Sequence, residues 1–168
     1  MRFFVLHKYG GIYLDTDIEL IKRLDSLLDN KAFVGFEVHG VATGVIGSEP
    51  GNPIIYEILK AYDRTNFYLD NGKLNLLTSP DYFTNEILKD GFVRENRTQQ
   101  LQNIIVYPSE YFYPYSTMTF ETNITNNTYA IHHYAGTWLD KKTKYQIDVQ
   151  KKIIRFFGKR LSVWIAVA

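Results

Sequence analysis

The run Tyr9-Gly10-Gly11-Ile12-Tyr13-Leu14-Asp15-Thr16-Asp17 constrains this chain more than any other. Residues 2–9 read as the last turns of a helix, and Gly10 is placed to close it, because glycine adopts the left-handed backbone of a helix C-terminus at little cost. Ile12, Tyr13 and Leu14 then favour an extended strand. Side chains alternate faces along a strand, so a strand reaching Asp17 points Asp15 and Asp17 the same way. Two carboxylates held together repel unless something positive lies between them. A hard divalent cation meets that need, and Mg²⁺ or Mn²⁺ takes one or two carboxylates together with substrate phosphate oxygens. The pair therefore points to a metal–diphosphate site. Asp and Thr also populate turns and helix caps, so a plain loop is the competing reading of the same residues.

Downstream, strand-like and helix-like segments alternate. Glu19–Lys22 and a Leu-rich turn near Asp25–Leu28 come first, followed by strands over Ala32–Glu37 and Val41–Gly47. Pro53 opens an amphipathic helix to about Arg64, with Ile54, Ile55, Ile58, Leu59 and Tyr62 on its buried face. Pro80 opens another over Asp81–Lys89, buried through Phe83, Ile87 and Leu88. Asn103–Tyr107 is a strand, Glu110–Tyr115 an aromatic loop and Tyr129–His133 a final strand. The pattern predicts an α/β sheet with some antiparallel members. The tail sets Lys151, Lys152, Arg155, Lys159 and Arg160 among Ile153, Ile154, Phe156, Phe157, Leu161, Trp164 and Ile165. On a helix this is a basic amphipath, suited to packing on the core or to peripheral contact with an anionic membrane. The expected division is residues 1–148 as the main domain and 149–168 as the basic amphipathic C-terminal helix.

With 168 residues, 45% hydrophobic and 22% charged, the chain can bury a real core. A net charge of +1 gives no case for nucleic acid, and the absence of cysteine removes thiolate catalysis and Cys-ligated zinc. That composition, with no signal-peptide pattern, sets a cytoplasmic expectation, peripheral at the inner face of the plasma membrane through residues 149–168.

More than a hundred residues after the carboxylates comes His132-His133-Tyr134-Ala135-Gly136-Thr137-Trp138. Neutral imidazole binds Mn²⁺ well and Mg²⁺ poorly. The two histidines are adjacent, so on a strand only one faces a given site. Thr137 and Trp138 offer a hydroxyl and an indole N–H, both able to donate to phosphate oxygens.

Leu6-His7-Lys8-Tyr9-Gly10-Gly11-Ile12-Tyr13-Leu14-Asp15-Thr16-Asp17 resembles the sugar-binding-region signature, with its DXD motif, of glycosyltransferase family 32, bacterial polysaccharide transferases and their relatives. His132–Trp138 is similar to that family's closing His-His-x-x-Gly-Ser-Trp segment, with Thr137 for Ser. The resemblance spans residues 2–140. It implies a GT-A-like (Rossmann-like) nucleotide-diphospho-sugar transferase fold, a UDP- or GDP-sugar donor, a glycan or lipid-linked acceptor, Mn²⁺ or Mg²⁺, retention of configuration and a role in polysaccharide or capsule biosynthesis. On the same resemblance Asp15 and Asp17 are the catalytic and metal-holding carboxylates. His133 is the histidine ligand, and Arg2, Tyr13, Asp15, Thr137 and Trp138 bind donor. Two departures accompany it. The strand and loop that hold the nucleotide base in members are expected N-terminal to Arg2, ahead of Met1, and Ser79 stands where members have Gly in Thr-Gly-Pro.

Glycosyl transfer breaks a bond between the anomeric carbon and a diphosphate, so charge gathers on the leaving group, and positioning is the protein's main task. Glu37, Glu49 and Asp81 fall near element ends that could face an acceptor, although each also reads as a solvated surface acid. The rival readings are a metal-binding fragment that takes no donor, a metal-dependent phosphohydrolase and a membrane-surface adaptor.

Overall fold

The computed structural model describes residues 1–38, 40–69, 71–116, 119–136 and 139–157. Its architecture is mixed α/β, as the alternation predicts. Helix α1 (Arg2–Tyr9) buries Phe3 and Leu6 and ends at Gly10, with φ 67° and its N–H donating to the Leu6 carbonyl at 2.8 Å. A Cβ at Gly10 would lie 2.7 Å from the Pro50 ring, so glycine is required there by space as well as by backbone. Strand β1 (Gly11–Leu14) follows at once and pairs antiparallel with β4 (Gly40–Ser48).

β1 does not continue to Asp17. The Asp15 N–H still donates to the Gly44 carbonyl at 2.8 Å, but the Asp15 carbonyl is taken by the Ile18 N–H at 3.1 Å. That i to i+3 bond makes Asp15–Ile18 a turn, and β2 (Ile18–Leu20) leaves in a new direction.

Five strands form the main sheet in the order β1-β4-β3-β6-β5, where β3 is Ala32–Glu37, β5 Gln99–Gln100 and β6 Ile105–Tyr107. Among the described strands only β3 and β6 run parallel; the other pairs are antiparallel. A separate two-stranded ribbon joins β2 to β7 (Ala130–His132).

Strand alternation divides the core. Ala32, Val34, Phe36 and Val106 point to one face, where they meet Phe3, Leu6 and the two long helices. Helix α2 (Pro53–Asp63) has Pro53 in its first turn and Asn52 as cap, whose side chain accepts from the Ile54 N–H at 3.0 Å. It buries Ile54, Ile55 and Ile58 as expected, while Tyr62 is half-exposed and stacks on Tyr82 at 4.2 Å. Helix α3 (Ser79–Leu88) buries Tyr82, Phe83, Thr84 and Ile87; Leu88 is exposed. On the opposite face Phe33, Ile105 and Tyr107 pack with Phe112, Tyr113, Leu24, Leu27 and Ala130. This second layer includes four buried aromatic rings, Phe33, Tyr107, Phe112 and Tyr113, and takes in Leu14, Ile18 and Ala130, which is how the ribbon is held over the end of β1.

The C-terminal helix α4 (Lys141–Phe157) begins eight residues earlier than expected, so residue 149 falls inside a helix. Asp140 sets the start by accepting from the Thr143 N–H at 2.7 Å. Residues 158–168, which carry Lys159, Arg160, Leu161, Trp164 and Ile165 of the basic amphipathic pattern, lie outside the described residues.

Candidate metal centre

Three elements meet where β1 ends. The turn after β1 presents Asp15 and Asp17, and β7 brings His132 beside them. One ligand atom from each of Asp15, Asp17 and His132 lies within 4.8 Å of the other two. The carboxylates therefore converge, but through the turn and not through the period of a strand.

Ribbon register decides which histidine takes part. Ile18 pairs with His132 in β2–β7, and the His133 N–H donates to the Asp17 carbonyl at 3.0 Å. His132 Nε2 then sits 3.2 Å from Asp17 Oδ1, with both side chains largely covered. His133 faces away: its side chain is 53% exposed and its Nε2 contacts Glu19 Oε2 at 2.8 Å. The sequence resemblance selected His133, and the structure brings His132 to the carboxylates instead. Adjacent strand residues face opposite ways, so a one-residue difference in register exchanges them.

Each carboxylate has its own partners. On Asp15, Oδ1 accepts from the Tyr13 hydroxyl at 2.6 Å and lies 3.4 Å from the Arg2 guanidinium. Arg2 is fixed in turn by donating to the Thr43 carbonyl at 2.8 Å and by stacking 4.6 Å from the Tyr13 ring centroid. Burial first, then the bond to Asp15, raises the Tyr13 phenol, which stays a donor. Asp17 Oδ2 accepts from the Ala135 N–H at 3.0 Å. Burial pushes the Asp17 carboxyl up, but the Ala135 N–H and His132 outweigh it and hold the group below its ordinary value. The Ala135 N–H and His132 thus favour the charged form of Asp17.

The donor set suits a divalent metal. It offers two carboxylates and one imidazole, the oxygen-plus-nitrogen mixture that favours Mn²⁺ over Mg²⁺. His132 Nδ1 is buried and has no hydrogen-bond partner among the described residues, an orphaned polar atom at the edge of the cluster. Gly44 leaves the space: a Cβ there would come within 3.3 Å of Asp15 Oδ2.

Of the other expected site residues, Arg2 and Tyr13 are in place around Asp15, while Thr137 and Trp138 lie outside the described residues. Several participants were not anticipated. Tyr113 is fully buried, accepts from the Val45 N–H at 2.9 Å and meets His132 edge-on at 5.9 Å. Tyr134, next to the histidines in sequence, packs its ring 4.0 Å from that of His132 and donates its hydroxyl to Glu37. Nothing in residue spacing signals Tyr113. Tyr134 carried a signal, as part of the histidine segment. Of the three acids weighed as acceptor-facing, Glu37 lies beside the centre, Asp81 caps α3 and Glu49 is exposed.

Comparison with known proteins finds a family and several relatives. Residues 1–34 match the family described as "Glycosyltransferase sugar-binding region containing DXD motif". The chain is 37% identical over 68 residues to inositol phosphoceramide mannosyltransferase 3 of Schizosaccharomyces pombe, covering 40% of this chain and 19% of that protein. It is 38% identical over 72 residues to mannosyl phosphorylinositol ceramide synthase CSH1 of Saccharomyces cerevisiae, covering 41% and 19%. A longer, weaker likeness, 28% over 163 residues, covers 92% of this chain and 62% of the uncharacterized glycosyltransferase L373 of Acanthamoeba polyphaga mimivirus. The chain spans about a fifth of the length of the two fungal relatives. No solved structure matches it.

Proposed function

We propose that this chain, whose resemblance to glycosyltransferase family 32 those matches bear out, transfers a sugar from a UDP- or GDP-sugar to a glycan or lipid-linked acceptor on a GT-A-like fold. The observation that carries the reading is the convergence of Asp15, Asp17 and His132 from opposite ends of the sequence. These three would hold Mn²⁺, or Mg²⁺ less well. When bound, such a metal offsets the charge that develops on a diphosphate leaving group.

The remaining work belongs to the chain. Arg2 holds Asp15 and supplies a fixed positive charge 3.4 Å from it, which favours an anionic donor at this end of β1. Tyr13 orients the same carboxylate from the other side. The Ala135 N–H fixes Asp17 so that its charge needs no rearrangement when donor arrives. Thr137 and Trp138 are proposed donors to the diphosphate. Retention of configuration is proposed on the family resemblance.

The fungal relatives are named for mannosyl transfer to inositol phosphoceramide, which favours a lipid-linked acceptor over a polysaccharide or capsular one. A peripheral position at the cytoplasmic face of a membrane, reached through the basic α4 and the residues after it, fits such an acceptor. Among the described residues no helix is long and apolar enough to cross a membrane.

The test is nucleotide-diphosphate release from a panel of UDP- and GDP-sugars with Mn²⁺, compared between wild type and Asp17→Asn. Metal-dependent release lost in the variant supports the reading, and release retained by Asp17→Asn overturns it. Manganese binding without any donor binding selects the fragment reading.

A further inference from the structure

A cavity of about 790 Å³ lies beside the metal centre and is not part of it. That volume falls within the roughly 300–1,000 Å³ of small-molecule sites. Glu37, Arg97, Tyr113, Tyr115, Ser116 and Asn123 are among its walls. Tyr113 is the shared partition, with one side on the cavity and its ring edge-on to His132 at 5.9 Å. The partition fits because Gly35 has no side chain: a Cβ there would lie 2.6 Å from the Tyr113 ring. A second connection runs through Tyr134, whose ring sits 5.6 Å from Tyr115 and 4.0 Å from His132. Its hydroxyl donates to Glu37 and fixes that carboxylate at the cavity wall.

The backbone at both ends of the Glu37–Tyr134 contact is unusual. Val38 has φ 47° and Tyr134 φ 49°, the left-handed region that non-glycine residues avoid and a β-branched residue most of all. Backbone of this kind persists where the surroundings over-determine it, and it clusters at ligand sites.

The lining selects a class of ligand. Two carboxylates, Glu37 and Glu110, stand on the walls against one guanidinium, Arg97, which is already paired with Glu95 at 2.6 Å, so the walls disfavour phosphate and the nucleotide donor does not belong there. Hydroxyl and amide groups on Ser116 and Asn123 both donate and accept, and Tyr115 adds a flat apolar face. A ring with hydroxyl edges and C–H faces satisfies both. We infer that this cavity binds a sugar or polyol ring, the acceptor end of the proposed reaction, with Glu37 accepting a hydrogen bond from one of its hydroxyls. The word acceptor rests on the glycosyltransferase reading; the preference for a polyol rests on the cavity alone. Tyr134 is then a positioning residue for Glu37.

Saturation-transfer NMR with methyl α-D-mannopyranoside and with myo-inositol tests this on the full chain, with Mn²⁺ affinity measured separately by calorimetry. At least one probe should bind saturably, and which one does tells a sugar from a cyclitol. Glu37→Gln and Tyr115→Ala should each weaken it by about ten-fold, the loss of one charge-assisted bond or one aromatic face, while Mn²⁺ affinity is held. Asp17→Asn should do the reverse. Tyr115→Ala carries the test should Glu37→Gln fail to fold. No saturable probe, or both variants binding as wild type, overturns the cavity assignment. Polyol binding without Mn²⁺ binding by the wild type overturns the metal-dependent reading and leaves the cavity assignment standing.

Discussion

At the scale of single residues the centre depends on which imidazole reaches Asp17. His132 Nε2 is 3.2 Å from Asp17 Oδ1, while His133 turns to Glu19. His132→Ala should therefore weaken Mn²⁺ binding by more than about ten-fold, since even groups one step removed from a metal typically cost 10- to 100-fold. His133→Ala should stay near wild type. Calorimetric titration of both variants checks this, and the opposite ranking would mean the register reported for β2–β7 does not hold in solution. Gly44→Ala is a subtler probe. Its new Cβ would lie 3.3 Å from Asp15 Oδ2 and 3.5 Å from the Ile18 side chain. Mn²⁺ affinity should fall more than thermal stability does, measured by titration and by circular-dichroism melting on the same preparation. The carboxylates were legible in the sequence because two acids one residue apart at the end of a strand lie close together, and close carboxylates call for a positive partner. The histidine was not, because its identity is fixed by pairing across more than a hundred residues, and either neighbour satisfies the same local pattern.

At the scale of elements the helices declare their own starts. Thr78 and Asp81 form a reciprocal cap on α3: Asp81 Oδ2 accepts from the Thr78 N–H at 2.7 Å and from its hydroxyl at 2.6 Å. These two bonds lower the Asp81 carboxyl below its ordinary 3.8. A carboxyl with a lowered folded value adds stability above its unfolded value and loses it as pH falls through the folded one. Asp81→Ala should then cost about 1 kcal/mol at neutral pH. The gap between variant and wild type should close progressively below pH 3.8. Urea unfolding at several pH values reads both, and a gap unchanged in acid would detach the cap from the carboxylate's charge. Proline and cap residues made α2 and α3 readable to within two residues at each end. β1 was over-extended because Ile-Tyr-Leu carries strand propensity forward, while the turn at Asp15 is set by a carbonyl that Ile18 captures. The start of α4 was missed because its cap, Asp140, precedes a polar stretch with no apolar period.

At the scale of the whole molecule the sheet order β1-β4-β3-β6-β5 was out of reach of local pattern. Alternating strands and helices fix a class, whereas neighbours in a mixed sheet are chosen by which faces bury together. Here that choice has a chemical consequence. β1 pairs with β4, which sets Gly44 and Thr43 beside Asp15 and Arg2, and the aromatic layer on the opposite face carries the ribbon that delivers His132. The candidate centre exists only when both layers are assembled, because its ligands come from residues 15, 17 and 132. A metal bound by the folded chain and not by the unfolded one must then stabilise the fold as a whole. At a free Mn²⁺ concentration of 100 times Kd the gain is about 2.7 kcal/mol, enough to raise the midpoint of a domain of this size by several degrees. Melting with and without Mn²⁺ should show that rise in wild type and in His133→Ala. It should be absent in Asp17→Asn and much reduced in His132→Ala, and EDTA should reverse it. A Mn²⁺ effect of equal size in Asp17→Asn would place the ion elsewhere on the surface and remove the link between the fold and the centre.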